Sequence, residues 1–327
     1  MKIVEFDFFN KKYSAIDNCE LSVYLNENCN ADCNFCIAQL RYKDRKNAFQ
    51  KAVIKKDDDY FDQLNTILQN IPSFITSATI TGGEPCLSSR LAKVVLMLRT
   101  HGFKRICLTT NGSFLLRRVN GTNTNLLSLL IDNGLTNLVL SRASHDEAIN
   151  QSIMNFQYEP CTNGDIAKIV EIASARKINL RISGIFLKCG VCDLDSLYSF
   201  VTFYNKIGCR DFRFRELMDS NEVYMCNEEK INFCEKQRID ISQIVKMVEG
   251  DARFKLKQII GGKSFFNNFI YSVSDSTLIL QQEDLSYVTS QRANTGCIYG
   301  LVVHPNGDLA SSWADGQNVM LACKTST

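Results

Sequence analysis

Short apolar runs alternate along this chain with segments in which apolar residues recur at helical spacing. The runs predict strands at residues 21–25, 78–81, 106–110, 138–141, 180–187 and 212–217. Between them, apolar side chains fall at i, i+3, i+4 and i+7 over residues 91–98, 166–173 and 194–201. Strands that alternate with helices in this way predict an α/β fold with a parallel sheet, and six such units predict a partial (β/α)6 TIM-like barrel.

The alternation stops after Met218. Residues 219–238 are mainly polar, one further amphipathic helix is predicted over residues 241–248, and β-like segments lead to a turn at HPNGDL. We therefore predict a core barrel of residues 1–218 and a C-terminal α+β extension of residues 219–327. Tyr299, Leu301 and Trp313 give the extension an apolar and aromatic surface, so we expect it to cover the barrel mouth.

Composition and charge narrow the class of protein. The 327 residues are 45% hydrophobic and 22% charged, and a net charge of +2 argues against a nucleic acid polymer as partner. The first residues lack the apolar run of a signal peptide, and no stretch approaches the ~20 apolar residues of a membrane span. We expect a soluble, cytoplasmic enzyme. In such a chain the 14 cysteines favour metal binding or catalysis where they cluster, and packing where they are scattered.

Three cysteines do cluster, directly after the first predicted strand. Cys29, Cys33 and Cys36 have the spacing Cys-x3-Cys-x2-Cys, so the loop would lie at the carboxyl ends of the barrel strands, where catalysis takes place. Three thiolates suit a cuboidal iron–sulfur cluster that keeps one iron open, whereas a structural zinc ion wants four protein ligands. A zinc site completed by a distant cysteine is the alternative.

A second motif, TGGEP at residues 81–85, ends the second predicted strand. Together with the cysteine triplet, in this order, it resembles the signature of the radical SAM superfamily, and the resemblance covers residues 18–220. It implies a 4Fe-4S cluster whose open iron is chelated by the amino and carboxylate groups of S-adenosyl-L-methionine (SAM). It also implies reductive cleavage of SAM to methionine and a 5'-deoxyadenosyl radical, with a flavodoxin or ferredoxin as reductant.

The resemblance assigns cofactor-binding roles to the second motif. Gly82 and Gly83 would let backbone carbonyls approach the SAM ammonium group closely, because glycine carries no side chain. Glu84 would add an acceptor, and Pro85 would fix the turn.

Further roles follow from one branch of the superfamily, the GTP cyclases of molybdopterin biosynthesis. The segments ITGGEPCL, CLTTNGSFLL, LVLSRAS and FRFRELM resemble successive strand ends of that branch. By this match Phe35 would stack near the adenine, Ser141 would hold a polar group of SAM, and Met218 would pack on it. Thr109 or Thr110 would face the substrate or the ribose, as would Asn111.

At several positions the sequence differs from the GTP cyclase branch in residues that bind the triphosphate or a second cluster. The cyclase binds its triphosphate through four arginines, and the matching positions here are Ser22, Thr79, Tyr299 and Leu301. It also holds a second cluster through three cysteines, of which this chain matches Cys297 alone; Asn294 and the Ser311–Ser312 region stand at the other two places. We therefore expect a superfamily member with one cluster and without GTP cyclase activity.

Basic residues indicate the kind of substrate. By resemblance, Arg181 matches a substrate-binding lysine of the cyclase branch, and Arg213 and Arg215 are predicted two residues apart on the same inward face of strand six. We expect the three to bind the anionic group of a small-molecule substrate. A carboxylate of the protein, such as Glu216, is the alternative partner. Cys189 and Cys192 form a further Cys-x-x-Cys pair that could bind a metal or return a hydrogen atom to a product radical.

Three hypotheses for function remain. The first is a radical SAM enzyme that abstracts hydrogen from a small anionic substrate, for instance a nucleotide or nucleoside derivative, to drive cyclisation, rearrangement or epimerisation. The second is a peptide-modifying radical SAM enzyme. Against it, few residues precede the first strand, too few for a leader-binding domain, and the C-terminal part lacks a cysteine-rich module. The third is a non-catalytic iron–sulfur or zinc protein.

Overall fold

The computed structural model describes residues 2–36, 54, 56–217, 227–261, 266–283, 290, 292–313 and 316–323. The strands within these residues are β1 (Ile3–Phe8), β2 (Lys11–Tyr24), β3 (Ser77–Thr81), β4 (Arg105–Thr110), β5 (Asn137–Ser141), β6 (Asn179–Ile185), β7 (Asp211–Arg215), β8 (Phe254–Ile260), β9 (Phe266–Val273), β10 (Ser276–Glu283), β11 (Cys297–Val303), β12 (Leu309–Ala310) and β13 (Val319–Leu321). The helices are α1 (Asp57–Asn70), α2 (Leu91–Thr100), α3 (Leu126–Asp132), α4 (Glu147–Met154), α5 (Asn163–Ala175), α6 (Leu194–Ile207), α7 (Glu228–Gln237) and α8 (Ile241–Glu249).

The strands described form one sheet with a long parallel centre. Strands β2 to β7 lie side by side in chain order and pair in parallel throughout, as the alternating pattern predicts. Two strands of the C-terminal part extend this series, because β11 pairs in parallel with β2 and β10 with β7. The path runs from β13 to β8 without closing, so the α/β fold is a partial TIM-like barrel. The predicted fold class is confirmed.

The two faces of the parallel strands have different surroundings. On β7, Phe212 and Phe214 are fully buried, and their rings lie 6.5 and 4.9 Å from that of Phe200 on α6. Because successive side chains of a strand point to opposite faces, Arg213 and Arg215 face the barrel interior. Apolar residues thus attach the helices to the outside of the sheet, and polar ones are left for the inside.

The C-terminal part shares this sheet with the core. Leu301 of β11 pairs with Leu21 of β2 and is buried with it. The ring of Trp313 meets the ring of Tyr24, the last residue of β2, edge to face at 6.3 Å. The division at residue 218, with the extension covering the mouth, stays a prediction. In the part of the chain that the structure describes, we find no helix with the length and apolar character needed to cross a bilayer.

Candidate active site

The cysteine loop and the GGEP turn are hydrogen-bonded to each other. Beyond the carboxyl end of β2, Leu25 N–H donates to the carbonyl of Thr81 at 2.8 Å. Gly83 N–H then donates to the carbonyl of Asn26, and Glu84 N–H to that of Asn28, each at 2.7 Å. The pairing of β2 with β3 therefore continues past the strand ends up to the residue before Cys29. The second motif supports the backbone that carries the first.

This contact explains why both residues after Thr81 are glycines. A Cβ atom on Gly83 would lie 2.4 Å from the carbonyl oxygens of both Glu27 and Asn28, and one on Gly82 would lie 2.5 Å from that of Asn26. The room that the glycines provide is taken by the chain's own loop. That their backbone carbonyls approach the SAM ammonium group stays a prediction.

Gly83→Ala is expected to separate the two motifs, because backbone atoms stand in the place of the new methyl group. We expect a loss of about 3 kcal/mol in the free energy of unfolding, the upper end of the range for overpacking, measured by urea denaturation. Gly164→Ala in α5 is the matched control, since its new Cβ meets Thr162 Oγ1 at an ordinary 3.6 Å. That change should stabilise the protein by about 0.5 kcal/mol. Equal effects of the two substitutions would contradict the contact described.

Glu84 lies in the interior and has a different role from the predicted one. It is 1% exposed, and its carboxylate accepts hydrogen bonds from Cys86 N–H at 2.9 Å, Thr110 Oγ1 at 2.6 Å and Asn111 N–H at 2.9 Å. Burial raises the pKa of Glu84, and these donors oppose the rise. The carboxylate ties the turn after β3 to the end of β4, instead of standing open as an acceptor for a ligand.

Asn30 is a structural residue of the site that the sequence analysis missed. It is fully buried between Cys29 and Cys33, and its Nδ2 donates to Ser113 Oγ and to the carbonyl of Tyr158, each at 3.0 Å. Its Oδ1 accepts from Asn111 Nδ2 at 2.8 Å. Asn111 is therefore bound to the cysteine loop and does not face a substrate, contrary to expectation. An asparagine inside the cysteine motif carries no local signal of this role.

The three thiols of the loop lie close enough to influence one another. Burial raises the pKa of Cys33 well above its usual range, the thiolates of Cys36 and Cys29 raise it further, and the ammonium group of Lys230 opposes the rise. Cys33 Sγ contacts Met154 Sδ at 3.8 Å, and Cys29 Sγ accepts from Ala31 N–H at 3.4 Å. Within the described ranges, no three His, Cys, Asp or Glu side chains are arranged as a ready metal site. Cys29 and Cys33 therefore contact protein atoms in the region that the loop occupies.

An apolar wall surrounds the loop. Cys29, Cys33 and Phe35 pack against a cluster of buried side chains that come from α4, from the ends of β6 and β7, and from α7. The buried members of this cluster are Ala31, Ala143, Ile153, Met154, Phe156, Leu187, Leu217 and Cys234. Phe35 thus lies beside the cysteines, in the region where a ring could stack on a ligand. Such surroundings shield Cys29 and Cys33 from water in part.

Two of the predicted cofactor residues lie on the inner face of the sheet. Ser141 is the last residue of β5, and Leu138 and Leu140 of this strand pack into the main core outside the sheet. On β4, Leu108 packs into the same core. Because successive side chains alternate between the two faces, Ser141 and Thr109 face inward. Both hydroxyl groups are half-buried near the carboxyl ends of their strands. Met218, the third predicted residue of this group, lies outside the described residues.

The structure sets Arg181 apart from the other two predicted substrate arginines. Arg181 donates to both carboxylate oxygens of Asp211, the first residue of β7, at 3.0 and 2.8 Å. Arg215 Nε donates to Gln281 Oε1 of β10 at 3.0 Å. The carboxylate considered as an alternative partner, Glu216, accepts from Arg238 at 2.7 Å. Arg181 thus has an internal carboxylate as its partner, while Arg213 and Arg215 lie on the inner face further along β7.

The remaining cysteines divide into exposed and core residues. Cys189 is exposed, Cys192 is half-buried, and the N–H of Cys189 donates to Gln237 Oε1 of α7 at 2.9 Å. Cys297 is buried in β11 against β2, and Cys107 and Cys209 are buried as the packing interpretation predicts. No third acidic, His or Cys side chain among the described residues joins Cys189 and Cys192 in a metal-binding arrangement.

Comparison with known proteins agrees with this geometry. The family model described as the Radical SAM superfamily matches residues 23–193, more than half of the chain. The "GTP 3',8-cyclase" of Aquifex aeolicus (strain VF5) is 25% identical over 207 residues, which cover 62% of this chain and 58% of that protein. The "Probable GTP 3',8-cyclase" of Sulfolobus acidocaldarius is 28% identical over 164 residues, 50% of this chain and 44% of that one. The chain spans about half the length of the curated relatives it matches.

A solved structure is similar over a larger part of the chain. It is native anSMEcpe with bound AdoMet and a peptide, which is 14% identical with a TM-score of 0.48 and covers 90% of this chain and 74% of that one.

Proposed function

Because the chain belongs to the radical SAM superfamily, whose enzymes use a 4Fe-4S cluster and SAM, we propose that it cleaves SAM at the loop of Cys29, Cys33 and Cys36. The observation that carries this proposal is the direct hydrogen bonding between the cysteine loop and the GGEP turn at the carboxyl ends of β2 and β3. Two short motifs that are far apart in the chain thereby form one site.

The residues of the cysteine loop suit both the iron–sulfur cluster and SAM. Three thiolates are soft ligands of the kind that iron–sulfur clusters prefer, and the apolar wall covers Cys29 and Cys33 on one side. Asn26 Oδ1, next to Gly82, is buried and finds no hydrogen-bond donor among the described residues, so the ammonium group of SAM would supply one. When bound and reduced, the cluster supplies the electron that breaks SAM into methionine and a 5'-deoxyadenosyl radical.

The other residues of the site hold the cysteine loop in place and orient SAM. Glu84 and Asn30 keep the cysteine loop on the ends of β3 and β4 through buried hydrogen bonds. We assign Phe35, Ser141 and Thr109 to contacts with SAM, and Met218 by resemblance. Gly82 and Gly83 act through the loop that they allow to approach.

We further propose a small anionic substrate, bound by Arg213 and Arg215. Both face the barrel interior on the later part of β7. Arg181 lies level with Asp211, the first residue of β7, and donates to both of its carboxylate oxygens, so it is assigned to that ion pair. Similarity to the two cyclases supports a nucleotide or nucleoside derivative. Thr79, at a place where a cyclase has an arginine, donates to the Glu20 carboxylate, which is also paired with Arg105. This position therefore supplies no positive side chain of its own for a triphosphate. Hydrogen abstraction would then lead to cyclisation, rearrangement or epimerisation, and a flavodoxin or ferredoxin would supply electrons.

The proposal is tested by anaerobic reconstitution, dithionite reduction and incubation with SAM. We expect about four irons per chain, as one cuboidal cluster requires, and formation of 5'-deoxyadenosine. A protein that binds iron or zinc but forms no 5'-deoxyadenosine would be the non-catalytic alternative. About eight irons per chain would instead indicate a second cluster, for which Cys189 and Cys192 are the first candidates.

Arg213→Ala is expected to weaken substrate binding by about 1.5–3 kcal/mol, the scale of a hydrogen bond to a charged group. Nucleoside mono- and triphosphates are first screened by the rise in unfolding temperature that each causes, and the best one is titrated into both proteins. SAM cleavage without substrate should persist in the variant. Lys206→Ala removes one exposed positive charge from the last turn of α6 and serves as the control. Equal affinities of the wild type and Arg213→Ala would contradict the assignment.

A further inference from the structure

Helix α7 of the C-terminal part reaches the cysteine loop through one side chain. Lys230 Nζ donates to the carbonyl oxygen of Cys33 at 2.6 Å and to Asp32 Oδ1 at 3.1 Å. These residues are 197 and 198 positions apart in the chain. Further along α7, Cys234 packs in the apolar cluster with Cys29 and Cys33. The helix therefore contacts the loop through one buried charge and through apolar packing.

Solvent screens the charge of Lys230 poorly and the charge of its partner Asp32 well. The Lys230 side chain is 9% exposed, whereas the Asp32 side chain is 49% exposed. Water and salt weaken the field of an exposed charge, and they weaken that of a buried charge much less. The thiol group of Cys33 therefore experiences a net positive field from the side of α7. The carbonyl oxygen of Cys33 accepts a hydrogen bond from the Lys230 ammonium group, which offsets the partial negative charge of that oxygen.

We propose that Lys230 is a positioning residue that raises the reduction potential of the cluster and fixes the loop that binds it. The inference rests on the proposed function, because it concerns the cluster expected at Cys29, Cys33 and Cys36. Reduction adds one negative charge to an iron–sulfur cluster, and a nearby cation stabilises the reduced form more than the oxidised form. Local charge and hydrogen bonding are among the features that set such potentials.

Three substitutions separate the charge from the hydrogen bond. Lys230→Met keeps an apolar stem of similar length and removes both, Lys230→Gln keeps a donor but not the charge, and Lys230→Arg keeps both. Lys236→Met changes the net charge equally at an exposed position in the last turn of the same helix, and is the matched control.

The readout is the midpoint potential of the reconstituted cluster, from a redox titration followed by electron paramagnetic resonance. We expect Lys230→Met and Lys230→Gln to make reduction about tenfold less favourable, which is a fall of about 59 mV for one electron. Lys230→Arg and Lys236→Met should stay near the wild-type potential. If both neutral variants lose the cluster and Lys230→Arg retains it, the cation is needed to hold the loop, which supports the positioning role.

The opposing results are equally specific. A wild-type potential in Lys230→Gln would mean that the hydrogen bond alone matters, and a wild-type potential in Lys230→Met would overturn the inference entirely. If Lys236→Met lowered the midpoint potential as much as Lys230→Met does, the cause would be the net charge of the protein and not the position of Lys230. In each of these cases the wild-type protein still carries its cluster, so the proposed function stands. Absence of a cluster from the wild type would instead refute the proposed function itself.

Discussion

Replacement of Cys29, Cys33 or Cys36 by Ala is expected to abolish formation of 5'-deoxyadenosine from SAM. Each thiolate binds one iron of a cuboidal cluster, so loss of any one of them leaves a site that cannot hold the cluster intact. Cys29 and Cys33 already pack in one apolar region, and burial together with the thiolates of Cys36 and Cys29 raises the pKa of Cys33. Metal binding would relieve that cost because the thiolates then face positive charge. We expect SAM cleavage at the background level in all three variants.

Cys189→Ala is the matched control for these variants. Cys189 is exposed and lies on another loop, so this change should keep about four irons per chain and normal SAM cleavage. Far-UV circular dichroism of all four variants before reconstitution checks that each is folded. Normal 5'-deoxyadenosine production by any variant of the triplet would refute the cluster assignment. Loss of half the iron from Cys189→Ala would identify a second cluster.

Glu84→Ala is expected to destabilise the protein by about 3–5 kcal/mol. The change leaves three buried donors without their acceptor: the N–H groups of Cys86 and Asn111 and the hydroxyl group of Thr110. A buried donor left unsatisfied costs about 1–3 kcal/mol, and collapse of the turn or entry of water recovers part of the sum. The free energy of unfolding is measured by urea denaturation of the protein before reconstitution. The cysteine loop loses its support as well, so iron content after reconstitution should fall.

Two further variants make the test of Glu84 specific. Glu84→Gln keeps one acceptor oxygen but turns an amide N–H toward a donor, so we expect an intermediate loss of about 1–3 kcal/mol. Glu159→Ala removes a carboxylate whose partner Arg117 is also exposed, and such surface pairs contribute about 0–1 kcal/mol. If Glu84→Ala were as mild as Glu159→Ala, Glu84 would not be the structural link that its hydrogen bonds indicate. It would then be free to act as the ligand acceptor first expected.

The sequence by itself determined the fold class and the place of the chemistry. The six predicted strands match β2 to β7, and the apolar stripe of residues 91–98 is buried on α2. Such patterns are readable because apolar periodicity is local and reports directly on which face of an element is buried. Cys29, Cys33 and Cys36 are recognisable for a similar reason. Their spacing within one loop, together with their ligand chemistry, already limits the metal groups that they can bind.

The tertiary structure decided what each polar residue near the site does. Gly83 makes room for the loop that carries the cysteines, and Glu84 binds the end of β4. Arg181 donates to Asp211, and Lys230 donates to the carbonyl of Cys33, almost 200 residues away in the chain. The physical reason is that a hydrogen bond or an ion pair depends on which strand ends and helices meet. Sheet order and register bring these groups together, and local sequence spacing contains no record of either.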